Sequence, residues 1–247
     1  MHKPSISLKI FIGLVSVLAI CAAVNVYMPQ GNSIPMQELP ASKFIIAIVT
    51  GGIMLILYGG LGFLGYYLSR QIGYADIWSL EISASQRLFI PASIGAALGA
   101  VFIIGDIIFS PFNTIGRLPH PPFPTSIFAS VTAGIGEEIL FRLFFISFWV
   151  WLIAIKLLKR RYQNLIFWIV SLLSSLSFAI AHIPSFIFLY GWKSIHEIPM
   201  VFLIELVLLN GIVAIFAAYY FRKYGFLAAV GIHFWTDIIW HCVYGIL

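Results

Sequence analysis

Seven apolar runs constrain this chain more than any other feature, because each is long enough for a helix to cross a hydrocarbon core about 30 Å thick. They lie at about 8–28, 44–68, 88–109, 126–158, 165–183, 200–221 and 226–247. Lipid offers backbone N–H and C=O groups no partners, so a spanning segment must be a helix or a strand of a closed barrel, and these runs have helix length. The expected fold is all-α: a polytopic integral membrane helix bundle of about seven transmembrane helices, forming a single membrane domain over 1–247. The first run exceeds the roughly 7–15 apolar residues of a signal-peptide core and is read as a helix.

With 61% hydrophobic and 9% charged residues, the few charges carry topological information. The net charge of +5 does not point to nucleic acid, since the basic residues sit in short loops and not on one soluble face. If the N-terminus is cytoplasmic, Lys3, Lys9, Arg70, Arg87, Lys156, Lys159, Arg160, Arg161, Arg222 and Lys223 are inside. Lys43, Arg117 and Lys193 are then outside, so ten basic residues against three favour a cytoplasmic N-terminus. Cys21 and Cys242 both fall within apolar runs and make neither a disulfide nor a metal signature.

Segments between the runs carry weaker signals. Loop 110–125 holds Pro111, Pro119, Pro121, Pro122 and Pro124, which deny it regular hydrogen bonding and predict an irregular mouth or a surface-lying segment. Loop 69–87 mixes Ile72, Tyr74, Ile77, Trp78 and Leu80 with polar residues and is expected to lie at the membrane interface. The glycines at 59, 60, 62 and 65 are expected to let helix backbones approach closely. The fourth run is longer than a bilayer requires, so it must tilt, bend or project.

Ionisable residues inside these runs are costly in lipid and mark function. In the fourth run, Glu138 and Arg142 are four apart in the favourable order, which fixes Glu138 as the ion-pair partner. Glu137 is rotated by about 100° on the helix and is the candidate base. A buried ion network between helices is the structural alternative. In the fifth run Phe178 and His182 are four apart, with Pro184 just beyond, placing His182 at a helix end beside unpaired carbonyls. The last run holds His233, Asp237 and His241 at intervals of four, a polar stripe expected to face the bundle interior. An Asp accepting from an imidazole sets its tautomer; His241 has no second line of support and is read as a structural or rim histidine.

The order Glu-Glu-x3-Arg, Phe-x3-His, His-x3-Asp on apolar helices resembles the CPBP (Abi-like) family of CAAX prenyl endopeptidases and bacteriocin-processing enzymes, over about 126–247 as a catalytic core. The resemblance implies an intramembrane endopeptidase whose first glutamate, Glu137, activates water, with Glu138 and Arg142 completing that motif. It further implies that His182 assists the water or the tetrahedral intermediate, and that His233 with the fourth-following residue stabilises the oxyanion. That residue is commonly Asn in the family and is Asp237 here. An ionised Asp cannot donate to an oxyanion, so Asp237 must be protonated, orient His233 or help bind a cation.

Peptide hydrolysis needs a base for water, donors for the developing charge and an acid for the leaving amine, all of which glutamate and histidines supply. The implied substrate is a peptide or membrane-tethered protein, possibly lipidated. No cofactor is expected. Zinc held by Glu137, His182 and His233 is the alternative, although a His-Glu-x-x-His pattern is absent. Two other functions stay open. A proton-coupled transporter would extend the relay through Asp106, Glu205 and Asn210, and a catalytically silent scaffold or immunity protein would keep the fold without the reaction. The charge asymmetry also puts Glu137 and His182 toward the outer face, whereas processing of a cytoplasmic prenylated protein needs access from inside.

Overall fold

Helix starts are set locally by serines. Ser5 Oγ accepts from the Leu8 amide at 3.2 Å and Ser42 Oγ from the Ile45 amide at 3.4 Å, satisfying donors that a first turn leaves open. The computed structural model describes residues 5–31 and 41–247, so Lys3 of the charge count above lies outside the described residues. Every regular element among them is helical. Seven helices are long and apolar enough to cross a membrane: α1 (Ile6–Asn25), α2 (Lys43–Ile72), α3 (Ser85–Phe112), α4 (Thr125–Leu157), α5 (Gln163–Tyr190), α6 (Met200–Tyr224) and α7 (Phe226–Ile246). The chain is an integral, multi-pass membrane protein.

Polar contacts between loops define the two ends of the bundle. At one end the Trp78 amide donates to Ser7 Oγ at 3.0 Å, Gln163 Nε2 to the Ile72 carbonyl at 3.0 Å, and Arg160 Nη2 to the Gln71 carbonyl at 3.2 Å. At the other, Thr125 Oγ1 donates to the Pro29 carbonyl at 2.6 Å. Lys9, Arg70, Arg87, Arg160, Arg222 and Lys223 belong to the first end, and Lys43, Arg117 and Lys193 to the second, so the charge asymmetry of the sequence is also an asymmetry in space.

Close helix approach relies on glycine where the helices carry the site. Any Cβ at Gly95 of α3 would collide with the Ile232 carbonyl of α7, and Thr236 Oγ1 ties the same two helices together by donating to Ile232 O at 2.9 Å and Gly95 O at 3.1 Å. A Cβ at Gly65 of α2 would likewise meet the Leu143 carbonyl of α4. Within the expected glycine packing run, Gly60 differs: nothing lies within 4 Å of the place its Cβ would take.

Two expectations about boundaries and loops need refinement. The first stretch of α5 ends at Ala181 with His182 at its end, as expected, but the span runs on, because Pro184 occupies the first turn of a second helical stretch, Ile183–Tyr190, where no amide hydrogen is required. Loop 69–87 does not simply lie at the interface. Trp78 and Leu80 are exposed, but the chain turns at left-handed Gly73 and buries Tyr74 and Ile77 in the core. Tyr74 meets the rings of Phe167 and Phe221 edge-on at 6.0 and 5.6 Å, and burial pushes its phenol pKa up.

Candidate active site

Immediately after its two glutamates, α4 widens into π-type turns over Ile139–Ile146, a distortion frequent at functional sites. Ser174 Oγ of α5 donates to the Phe141 carbonyl within this stretch at 3.0 Å. Glu138 and Arg142 are buried, and Arg142 Nη1 lies 3.1 Å from Glu138 Oε1. The guanidinium also sits 4.7 Å from the centroid of the Phe178 ring, an electrostatically favourable place for a cation that has left water.

Glu138 has a second partner that no local spacing announces. His233 Nδ1 of α7 lies 2.9 Å from the same Glu138 Oε1, 95 positions away in sequence. One buried carboxylate therefore links the guanidinium of α4 to the imidazole of α7. Because Nδ1 is committed to Glu138, the other ring nitrogen is turned toward the remaining acids: Nε2 is 3.8 Å from Glu137 Oε2 and 3.6 Å from Asp237 Oδ2. Orienting His233 is one of the three roles left open for Asp237. Glu138 holds that position instead, since it reaches Nδ1 within hydrogen-bond distance while Asp237 stands back from Nε2.

Glu137 is placed differently from its neighbour. Its side chain is 33% exposed, and Oε2 has no hydrogen-bond partner among the described residues. It lines a cavity of about 190 Å3 with Phe178, His182, His233, Asp237 and His241. His182 reaches this cavity from the break in α5. Its backbone amide bonds to Ala179 O at 3.3 Å, and its Nδ1 faces the Phe178 carbonyl at 2.8 Å. A carbonyl only accepts, so Nδ1 is the donor and Nε2 is left for other partners. Phe178 also meets both imidazoles edge-on, at 4.9 Å for His182 and 5.5 Å for His233.

All six residues singled out in the sequence thus fall into one region, with Glu137, His182, His233 and Asp237 on the cavity wall and Glu138 and Arg142 behind it. His182 Nδ1 and His233 Nδ1 are already engaged by Phe178 and Glu138, and among the described residues no group of three His, Cys, Asp or Glu is arranged to hold a metal ion. Of the residues named for a relay, Glu205 and Asn210 line the same cavity. Asp106 instead serves the structure, accepting from the Leu118 amide and the Tyr244 hydroxyl, each at 3.0 Å.

His241 lines the cavity, and its Nδ1 lies 3.1 Å from His120 Nδ1 in the proline-rich loop. Burial pushes the His120 pKa down, against the nearby charge of Asp106. Leu118 of the same loop also lines the cavity. A pairing across 121 positions has no local sequence signature, and His120 gave no signal on its own.

A family model described as type II CAAX prenyl endopeptidase Rce1-like matches residues 119–239. No curated protein and no solved structure matches the chain. Glutamates, arginine, both histidines and the aspartate all lie inside the matched stretch, which supports placing residues 119–239 in the CPBP/CAAX family of membrane proteases.

Proposed function

We propose that this chain is a membrane-embedded endopeptidase that hydrolyses a peptide bond in a membrane-associated protein or peptide, using Glu137 to activate water. The observation that carries this reading is the division of labour between adjacent glutamates. Glu138 is fully buried behind the wall and shared by Arg142 and His233, whereas the side chain of Glu137 is one-third exposed and lines the cavity. A base must be within reach of water and free to take a proton, and of the two only Glu137 meets both conditions.

In this scheme Glu137 removes a proton from water as the water oxygen bonds to the scissile carbonyl carbon. The electron pair of the carbonyl moves onto its oxygen, where an Nε2–H of His233 donates to it. Glu138 and Asp237 balance the charge of the imidazolium that this requires, which gives the acidic residue at 237 a role other than donation. Collapse of the intermediate breaks the C–N bond, and the proton held by Glu137 passes to the leaving amine. His182, fixed through Nδ1, orients the attacking water through Nε2.

The positive-inside rule supports a cytoplasmic N-terminus. Glu137 lies twelve residues from the start of α4 and His182 eight from the end of α5, about 18 and 12 Å along each helix from the less basic end. That placement favours a substrate entering from the outer half of the membrane, and it does not require a prenylated cytoplasmic substrate. The test is cleavage of a membrane-tethered peptide library by purified wild type and Glu137→Gln in detergent, with and without a strong chelator. Cleavage that survives chelation and disappears in the variant supports the scheme. Loss on chelation moves Glu137, His182 and His233 to metal-ligand roles, and no cleavage by wild type removes the hydrolase reading.

A further inference from the structure

Two buried acids outside the Glu137 and Glu138 pair receive opposite treatment. Asp106 is fully buried and both its oxygens accept hydrogen bonds, from Leu118 N and Tyr244 Oη. Glu205, on the second turn of α6, is 0% exposed, and neither of its oxygens has a hydrogen-bond partner among the described residues. A carboxylate withdrawn from water and left unpaired is strongly unfavourable, and native structures retain such groups rarely. Glu205 is not packed into a dead end, for it lines the cavity that holds Glu137 and His182.

The surroundings indicate what would satisfy it. Asn210, five residues further along α6 and also on the cavity wall, uses its Nδ2 on the Leu206 carbonyl at 2.9 Å, which leaves its Oδ1 as a second acceptor. Among the described residues three carboxylates line the cavity (Glu137, Glu205 and Asp237) and no lysine or arginine does, while Arg142 behind the wall is already paired with Glu138. Phe102, Phe186 and Trp240 supply apolar and aromatic wall. A long aliphatic stem ending in a cation matches such a lining, with methylenes against the rings and the charged head on acceptors.

We propose that Glu205, together with Asn210, forms a subsite for one lysine or arginine side chain of the substrate polypeptide, close to the bond that is cut. The proposal rests on the endopeptidase reading and adds the specificity of the same site. Substrate binding then completes the hydrogen bonding of Glu205, so the unpaired acid discriminates against a neutral side chain of equal length.

Binding separates this proposal from the catalytic one. Lipid-tethered peptides that carry a single lysine at successive positions, each matched to a peptide with norleucine at that position, are titrated against Glu137→Gln protein. At one position the lysine peptide is expected to bind about tenfold or more tightly, the range of a charge-assisted hydrogen bond. In Glu137→Gln with Glu205→Gln that ratio falls to near one, and with Glu205→Asp, which keeps the charge, part of it returns. Thermal unfolding of each variant identifies any that fails to fold, in which case the Asp variant carries the comparison. Equal binding of lysine and norleucine peptides at every position overturns the subsite, as does a preference that survives Glu205→Gln. Cleavage by wild type is scored separately, so loss of the hydrolase reading and loss of the charge preference are distinct results.

Discussion

The second helix and the pair formed by α4 and α7 are all apolar enough to span a membrane but answer to different constraints. Only 6% of the spanning window of α2 is buried inside the bundle, against 44% for α4 and for α7. Most of α2 meets lipid, where an isoleucine such as Ile56, 81% exposed, is as well placed outside as inside. Along α4 and α7 the inward face is instead marked by glycine, serine, histidine and acids. In a membrane protein, hydropathy locates the helices, and the departures from hydropathy locate the interior.

The sharpest way to break this contrast is Glu137→Gln, which replaces a carboxylate by an amide of similar shape. Peptide cleavage should fall by about 10²–10⁴-fold, the usual share of a general base, with the unfolding temperature unchanged. Glu138→Ala comes next. It strands both Arg142 and His233 in the interior, and the expected loss is about 3–5 kcal/mol of stability, read from denaturant unfolding in mild detergent, together with loss of activity. Gly95→Leu would force α3 from α7 and should destabilise by about 1–3 kcal/mol while lowering activity, because it shifts the helix that carries His233. At the small end, Ile56→Ala on the lipid face of α2 should alter stability by no more than about 0.5 kcal/mol and leave cleavage unchanged. A large effect there would mean that α2 packs against a partner in the membrane.

Seven spans were readable because apolar length is a direct consequence of bilayer thickness. Their ends were less so. Pro184 rightly marks a helix end at His182, but proline is also compatible with a first helical turn, and only the geometry shows that the span continues to Tyr190. Tyr74 and Ile77 look alike in sequence whether a loop floats at the interface or folds back on Phe167 and Phe221. At the site, the pair Glu138 and Arg142 was legible because its partners are four residues apart on one helix. The bond from Glu138 to His233 was not, since it depends on how α4 and α7 cross. Glu205 and Asn210 could be named as buried polar residues, but their place on the cavity wall follows from packing alone.

The break in α5 gives a proline a say in chemistry it never touches. In an unbroken helix the Phe178 carbonyl would receive the backbone amide of residue 182; here that amide turns to Ala179, and the imidazole of the same residue takes the vacated acceptor. His182 is therefore aimed by a defect in its own backbone and needs no neighbouring side chain to aim it. Straightening the helix at Pro184 would return the acceptor to the backbone and set the ring loose, turning a fixed imidazole into a rotor without altering a single residue of the cavity.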